Sequence, residues 1–328
     1  KHEDLALAPQ RGSRIAFPGV NLRFTNDFAL FESEVAQAFP AEIDGFRRLV
    51  AHLDAFDETS LAADEVSARQ ILAHYLRDPV LVDMLMLPVC YYGSAREGDM
   101  DFSQFAIMFR ALFREGFARP LEGVRQVTRL LTRRYRELGG ERRMRCGVRR
   151  IVAENNHAAA LELDDGTAIT ATHVLSSIGW VETQRLCQDQ PPDVGGDNCG
   201  PLSFVETLTV LDTLPSDLGW EETIVFFNDS ERFDYRCPEG LVDPRSGVIC
   251  LPNNYQYSGG QQLPEGWLRV TALANYRSWA GLQNTRPHSH ASDDVFAEAS
   301  LDEYRRHKAA WFQRLTEQAL AFLPGGVS

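Results

Sequence analysis

The chain is poor in several features that mark common protein classes. It has no run of about eighteen apolar residues, which a membrane-spanning helix needs. Its start, Lys1-His2-Glu3-Asp4, has no basic stretch followed by an apolar one, so no signal peptide is expected within these residues. Positive charge is scarce: the formal net charge is -13. Phosphate backbones need a positive surface, so this argues against nucleic acid as a partner. Six cysteines occur, Cys90, Cys146, Cys187, Cys199, Cys237 and Cys250, with no C-x-x-C spacing. Reduced thiols are the expectation, with a Cys187–Cys199 loop bridge as the alternative. The one close histidine pair, His288 and His290, lies in a polar stretch with Asp293 and Asp294 and fits a loop better than a metal site, so no metal is expected. Neither a Ser/His/Asp set nor a paired-carboxylate constellation stands out, and no catalytic residue is assigned.

What is present is globular in character: 44% of residues are hydrophobic and 24% charged, enough for one large domain or two. Between Arg110 and Arg150 arginine outnumbers acid by about three to one. A solvated helix face explains this better than an anionic partner, because the arginines fall on the polar side of a helical pattern.

The periodicity predicts two short strands around Pro18-Gly19 within Arg14 to Phe24, then a helix opened by Asp27. A second helix is expected from about Ala41 to Phe56, and a third near Ser67, stopped by Asp78-Pro79. Val80 to Tyr92 and Phe102 to Phe113 are densely apolar and fit a buried helix pair, or a lining for a long apolar substrate or a surface that dips into a membrane. Glu122 to Leu138 has the clearest helical spacing, ended by Gly139-Gly140. Three strands follow: Met144 to Ala153, Ala158 to Leu163 and Thr167 to Thr172, with turns at Asn155-Asn156 and Asp164-Asp165-Gly166. His173 to Gly179 (HVLSSIG) has the pattern of a buried strand ending in small residues. Gln188 to Gly200 is the best linker candidate. Beyond it, Ser203 to Asp212, Thr223 to Asn228, Gly247 to Pro252 and Trp267 to Ala274 predict an antiparallel sheet. Ser300 and Glu303 have the spacing of a capping box that would open a last helix.

The order of helix, Gly-Gly, three-stranded meander and small-residue strand, from Ala118 to Gly179, resembles the middle of the phytoene desaturase and carotenoid isomerase type of FAD-dependent oxidoreductases. The matching positions are Pro120 and Gly123, Gly139-Gly140, Val148 and Ile151, Asp165-Gly166, and Ser176-Ser177. At Leu121-Glu122 the chain departs, where the family commonly has glycine. Phe31 to Leu49, Leu202 to Phe227 and His307 to Gly325 resemble the family's early helices, later sheet and last helix. The family's G-x-G-x-x-G, whose glycines let backbone and helix N-terminus approach a pyrophosphate, occurs nowhere in this sequence. The resemblance therefore implies a central portion that lacks the flavin-binding ends.

The implied fold is α+β. A split substrate-binding domain occupies 1–117 and 200–328, and 118–187 supplies a helix and β-meander of an FAD/NAD(P)-binding α/β fold. The implied cofactor of the intact protein is FAD, approached by Val148, Ser176, Ser177, Ile178 and Gly179. The implied activity is desaturation or isomerisation of an apolar isoprenoid or polyene, with Phe102, Phe105, Met108, Phe109 and Phe113 as candidate substrate-lining residues. A flavin amine oxidase-like enzyme and a flavin-less binding or assembly module are the alternatives. The expected partner is an apolar small molecule, with peripheral membrane contact, and the expected location is cytoplasmic or at a membrane surface.

Overall fold

A computed structural model describes residues 2–57, 65–154, 157–187, 200–283 and 295–325. The expected turn at Asn155-Asn156, the linker over 188–199, Cys199 and the His288/His290 stretch lie outside the described residues. The chain divides into two compact units, one formed by Lys1–Val124 with Pro201–Ser328 and the other by Arg125–Gly200.

The first unit opens with β1 (Ala8–Pro9), β2 (Ser13–Phe17) and β3 (Val20–Phe24). The β2–β3 turn uses Gly19 at φ 75°, a left-handed conformation that costs glycine little. Then come α1 (Phe28–Ala38), α2 (Ile43–Ala55) and α3 (Ala68–Tyr75). Their starts follow local chemistry. Asp27 accepts a hydrogen bond from the Ala29 N–H at 3.0 Å, and Ser67 accepts one from Gln70 at 3.1 Å. Asp78-Pro79 does not stop α3, which has already ended at Tyr75. It starts α4 (Pro79–Gly93): Asp78 caps the Val80 N–H at 2.8 Å, and Pro79 sits where its missing N–H costs nothing. α5 (Phe102–Phe109) continues into a wider turn over Arg110–Glu115, followed by the short strand β4 (Ala118–Arg119), which pairs with β1.

Residues Leu81 to Cys90 of α4 are all buried, so this helix is apolar all round because it lies inside the core. That core gathers α1 to α5 on one face of the main sheet. Phenylalanine dominates it: Phe31 and Phe113 stack at 4.4 Å, and Phe24 meets Phe113 edge-on at 5.1 Å. One carboxylate is enclosed nearby. Asp83 is fully buried, and accepts from Arg69 at 2.7 Å, Arg232 at 2.6 Å and the Phe233 N–H at 3.1 Å, so its charge is neutralised in place.

The second unit contains most of α6 (Val124–Glu137), the meander β5 (Val148–Glu154), β6 (His157–Leu163) and β7 (Ala168–Thr170), and α7 (Trp180–Leu186). Gly139 takes φ 83° just past α6, as a C-terminal glycine does. No residue of α6 is buried. His173 to Gly179 forms no strand: it pairs with nothing among the described residues, and Leu175 is 99% exposed. An apolar run becomes a strand only where neighbouring strands accept its backbone hydrogen bonds.

The first unit resumes with β8 (Ser203–Leu211), β9 (Ile224–Asn228), β10 (Val242–Cys250) and β11 (Gly266–Ala274), then α8 (Tyr276–Gln283) and α9 (Val295–Leu320). These strands complete a six-stranded sheet in the order β3-β2-β9-β10-β11-β8. All neighbours are antiparallel except β2 and β9, which run parallel from the Ser13–Ile224 pair to Ala16–Phe227. The four strands expected to form an antiparallel sheet do so, in the order β9-β10-β11-β8; the parallel contact with β2 makes the whole sheet mixed, and the fold is α+β. The helix expected to open at Ser300 begins earlier, at Val295, so Ser300 and Glu303 lie within α9. The end of α9 packs Leu315 and Ala319 on the sheet face opposite α1 to α5. No described helix is long and apolar enough to cross a membrane.

Candidate functional site

Strand alternation decides which side chains leave the core. On β8, Val205 and Thr207 point toward α9, while Phe204, Glu206, Leu208 and Val210 stand on the other face and are exposed. Register places Arg269 of β11 opposite Leu208 on one side and Cys250 of β10 on the other. Arg269 donates to Glu206 at 2.5 Å, tying β11 to the edge strand. An open patch of sheet face results, carrying one cation, one carboxylate and one thiol among apolar side chains.

Two further segments rim this patch. At the end of α4, Tyr92 stacks on Phe117 at 5.8 Å and tilts toward Phe226 at 6.0 Å. The loop after β10 brings Tyr255 and Tyr257, their rings 6.4 Å apart. The β1–β4 ribbon holds that loop: Gln256 donates its N–H to the Pro9 carbonyl at 2.9 Å and its side-chain amide to the Gln10 carbonyl at 2.9 Å. Arg119 of β4 donates to the Tyr257 hydroxyl at 2.7 Å, and that hydroxyl donates onward to the Pro252 carbonyl at 2.9 Å. Each tyrosine is therefore held by backbone or by a neighbour's guanidinium.

Electrostatics follow from this packing. Burial pushes the Cys250 thiol up to about 11; Arg269 lowers it and Glu206 raises it. Burial likewise raises Tyr255 and Tyr257, with Arg119 opposing in both. At neutral pH the patch holds neutral hydroxyls and a neutral thiol beside the Arg269–Glu206 ion pair and the Arg119 guanidinium. Such a surface can orient a ligand by stacking and hydrogen bonding. Among the described residues no group of three or more His, Cys, Asp or Glu could hold a metal ion.

The residues singled out from sequence are not those that form this patch. Phe102, Phe105, Phe109 and Phe113 are buried and pack in series, with ring separations of 6.2, 5.8 and 5.0 Å, and Met108 is half-buried beside them. Val148 opens β5 opposite Leu163. Ser176, Ser177, Ile178 and Gly179 are exposed; the Ser176 and Thr183 hydroxyls are 2.6 Å apart, and Gly179 takes φ 104° before α7. Sequence reasoning missed Arg119, Glu206, Cys250 and Arg269, which only strand register unites. The Tyr255-Gln256-Tyr257 alternation after a predicted strand was the one available signal.

No protein-family model matches this chain, and no curated protein matches it in sequence. Solved structures do match. An oxidoreductase from Methanosarcina mazei superposes with a TM-score of 0.57 at 14% identity, over 85% of this chain and 64% of that one. The PF1083 protein of Pyrococcus furiosus gives a TM-score of 0.51 at 14% identity, over 88% and 70%. A putrescine oxidase redesigned in its cofactor binding gives 0.50 at 14%, over 85% and 62%. The chain thus spans 64% of the length of the Methanosarcina oxidoreductase. At this identity the likeness shows fold: the chain has an α+β fold similar to that of solved oxidoreductases.

Proposed function

We propose that this chain is the substrate-domain portion of a flavin-dependent oxidoreductase, with α6 and the meander β5–β7 as part of the layer that meets FAD. The observation that carries this reading is the second unit. Its helix buries nothing, and Leu131, Leu138, Leu175 and Trp180 are all more than half exposed. A helix and a three-stranded meander with apolar faces uncovered suit one layer of a larger α/β domain. Fold likeness to an oxidoreductase and to a putrescine oxidase supports the same assignment.

The residues present do not make a flavin site by themselves. The sequence has no G-x-G-x-x-G, and the segment Ser176 to Gly179 is an exposed strap without a glycine-rich strand–helix turn. In this reading FAD is held chiefly by segments that these 328 residues do not supply. The cofactor would bring the redox chemistry, and the protein would contribute binding and orientation. On this chain the open sheet face with Tyr255, Tyr257 and the Glu206 carboxylate is the surface best suited to orient a substrate.

For the substrate class, an amine is favoured over a polyene. The putrescine oxidase likeness supports it, and the phenylalanines first considered as a lining for an apolar chain pack against one another. An isoprenoid or polyene substrate remains the second reading, supported by the exposed apolar side chains of β8.

The test is visible absorption of the intact gene product, purified without added cofactor. Flavin bands are expected, and oxygen consumption with diamines should exceed that with polyene lipids. A colourless protein that also fails to take up added FAD would overturn the flavin reading in favour of a binding module.

A further inference from the structure

A second concavity lies on the opposite side of the sheet, where the edge strand β8 meets α8 and α9. It has a volume of about 290 Å³, and Tyr276, Trp279, Tyr304 and Trp311 contribute its aromatic walls. Trp279 is fixed by donating its indole N–H to the Leu241 carbonyl at 3.0 Å, and it meets Tyr304 edge-on at 5.7 Å. The Arg314 guanidinium lies 4.8 Å from the centre of the Trp311 ring.

Lys308 also lines this groove. The chain has only two lysines, Lys1 and Lys308, against 31 arginines, so a lysine here is a compositional exception. Its side chain is exposed, and no carboxylate among the described residues pairs with it. An ammonium beside aromatic walls, in a chain of net charge -13, is a local positive spot on an acidic molecule. Flat walls suit a ring, and Lys308, the cation that lines the groove, suits one negative charge; the lining carboxylate, Glu206, is already paired with Arg269.

We propose that this groove binds a small, flat, apolar carboxylate, its ring against Trp279 and Trp311 and its carboxylate on Lys308. The site is separate from the sheet face above, and it stands whether or not the flavin reading does.

The test is calorimetric titration of the chain with three probes of one shape: 2-naphthoate, naphthalen-2-ylmethanol and naphthalen-2-ylmethylammonium. The carboxylate should saturate and bind about three- to fivefold more tightly than the alcohol, the size expected of one exposed ion pair. The ammonium should bind more weakly than either. Lys308→Met should make carboxylate and alcohol equal while leaving the alcohol's affinity unchanged, and Lys308→Arg should retain the preference. Since Lys308 is exposed, neither variant should disturb folding. Absence of saturable carboxylate binding, a carboxylate that binds no better than the alcohol, or a preference that survives Lys308→Met would each overturn the proposal.

Discussion

The two units solve the problem of burial differently. The first buries a continuous phenylalanine-rich core under one sheet face, plus a second cluster under α9 on the other. In the second, Ile151 and Leu163 are the buried hydrophobic side chains among the described residues. The same kinds of local signal, helical spacing and hairpin turns, built both. The contrast teaches that correct local structure does not imply an independent core: the meander has its strands and turns, yet too little apolar surface is enclosed to offset the entropy of ordering it.

That contrast can be broken. The largest effect is expected at Asp83. Replacing both Arg69 and Arg232 with alanine leaves the fully buried Asp83 carboxylate without its ion partners, and should cost about 3–5 kcal/mol. Urea unfolding followed by circular dichroism would measure it. Next comes Phe109→Ala, which opens a cavity between Phe105 and Phe113 and should cost a similar or slightly smaller amount, about 3–5 kcal/mol. Were Phe109 a substrate-lining residue instead, the variant would keep its stability and lose substrate affinity, which would break the assignment of this row to the core. Leu131→Ala, on the open face of α6, should change stability by no more than about 0.5 kcal/mol. A cost of several kcal/mol there would show that the second unit has a core of its own.

The smallest effect concerns pH. Folding raises the Cys250 thiol above its unfolded value of about 8.5, to about 11. The native state therefore holds this proton more tightly. Its stabilising contribution is complete below pH of about 8.5 and is lost as pH rises through about 11. Iodoacetamide labelling of Cys250, followed by peptide mass spectrometry, should keep accelerating toward pH 11 and not level off near 9. A plateau near 9 would mean that the Cys250 thiol itself is not shielded from water by its burial at the floor of this face.

Much of the fold was legible where the cause is local. Asp27 and Ser67 open helices because a short polar side chain satisfies an N–H that the helix leaves free. The Arg14 to Phe24 hairpin and the turn at Gly166 follow from glycine's access to positive φ. Asp78-Pro79 shows the limit: the same dipeptide suits the end of one helix or the start of the next, and only the run that follows decides. HVLSSIG shows another limit, since its apolar residues fit a strand but no partner strand accepts it among the described residues.

By itself the sequence determined most of the element types, caps and turns, the acidic charge and the order that resembles flavin-dependent oxidoreductases. Tertiary structure alone decided the parallel pairing of β2 with β9, residues more than two hundred positions apart. It also decided that the phenylalanines of α5 face one another in a closed core, and that Arg119, Glu206, Cys250, Tyr255 and Arg269 share one open face. The physical reason is range. Capping and turn preferences act within a few residues, whereas strand register and the meeting of distant side chains are set by how the whole sheet buries its two faces.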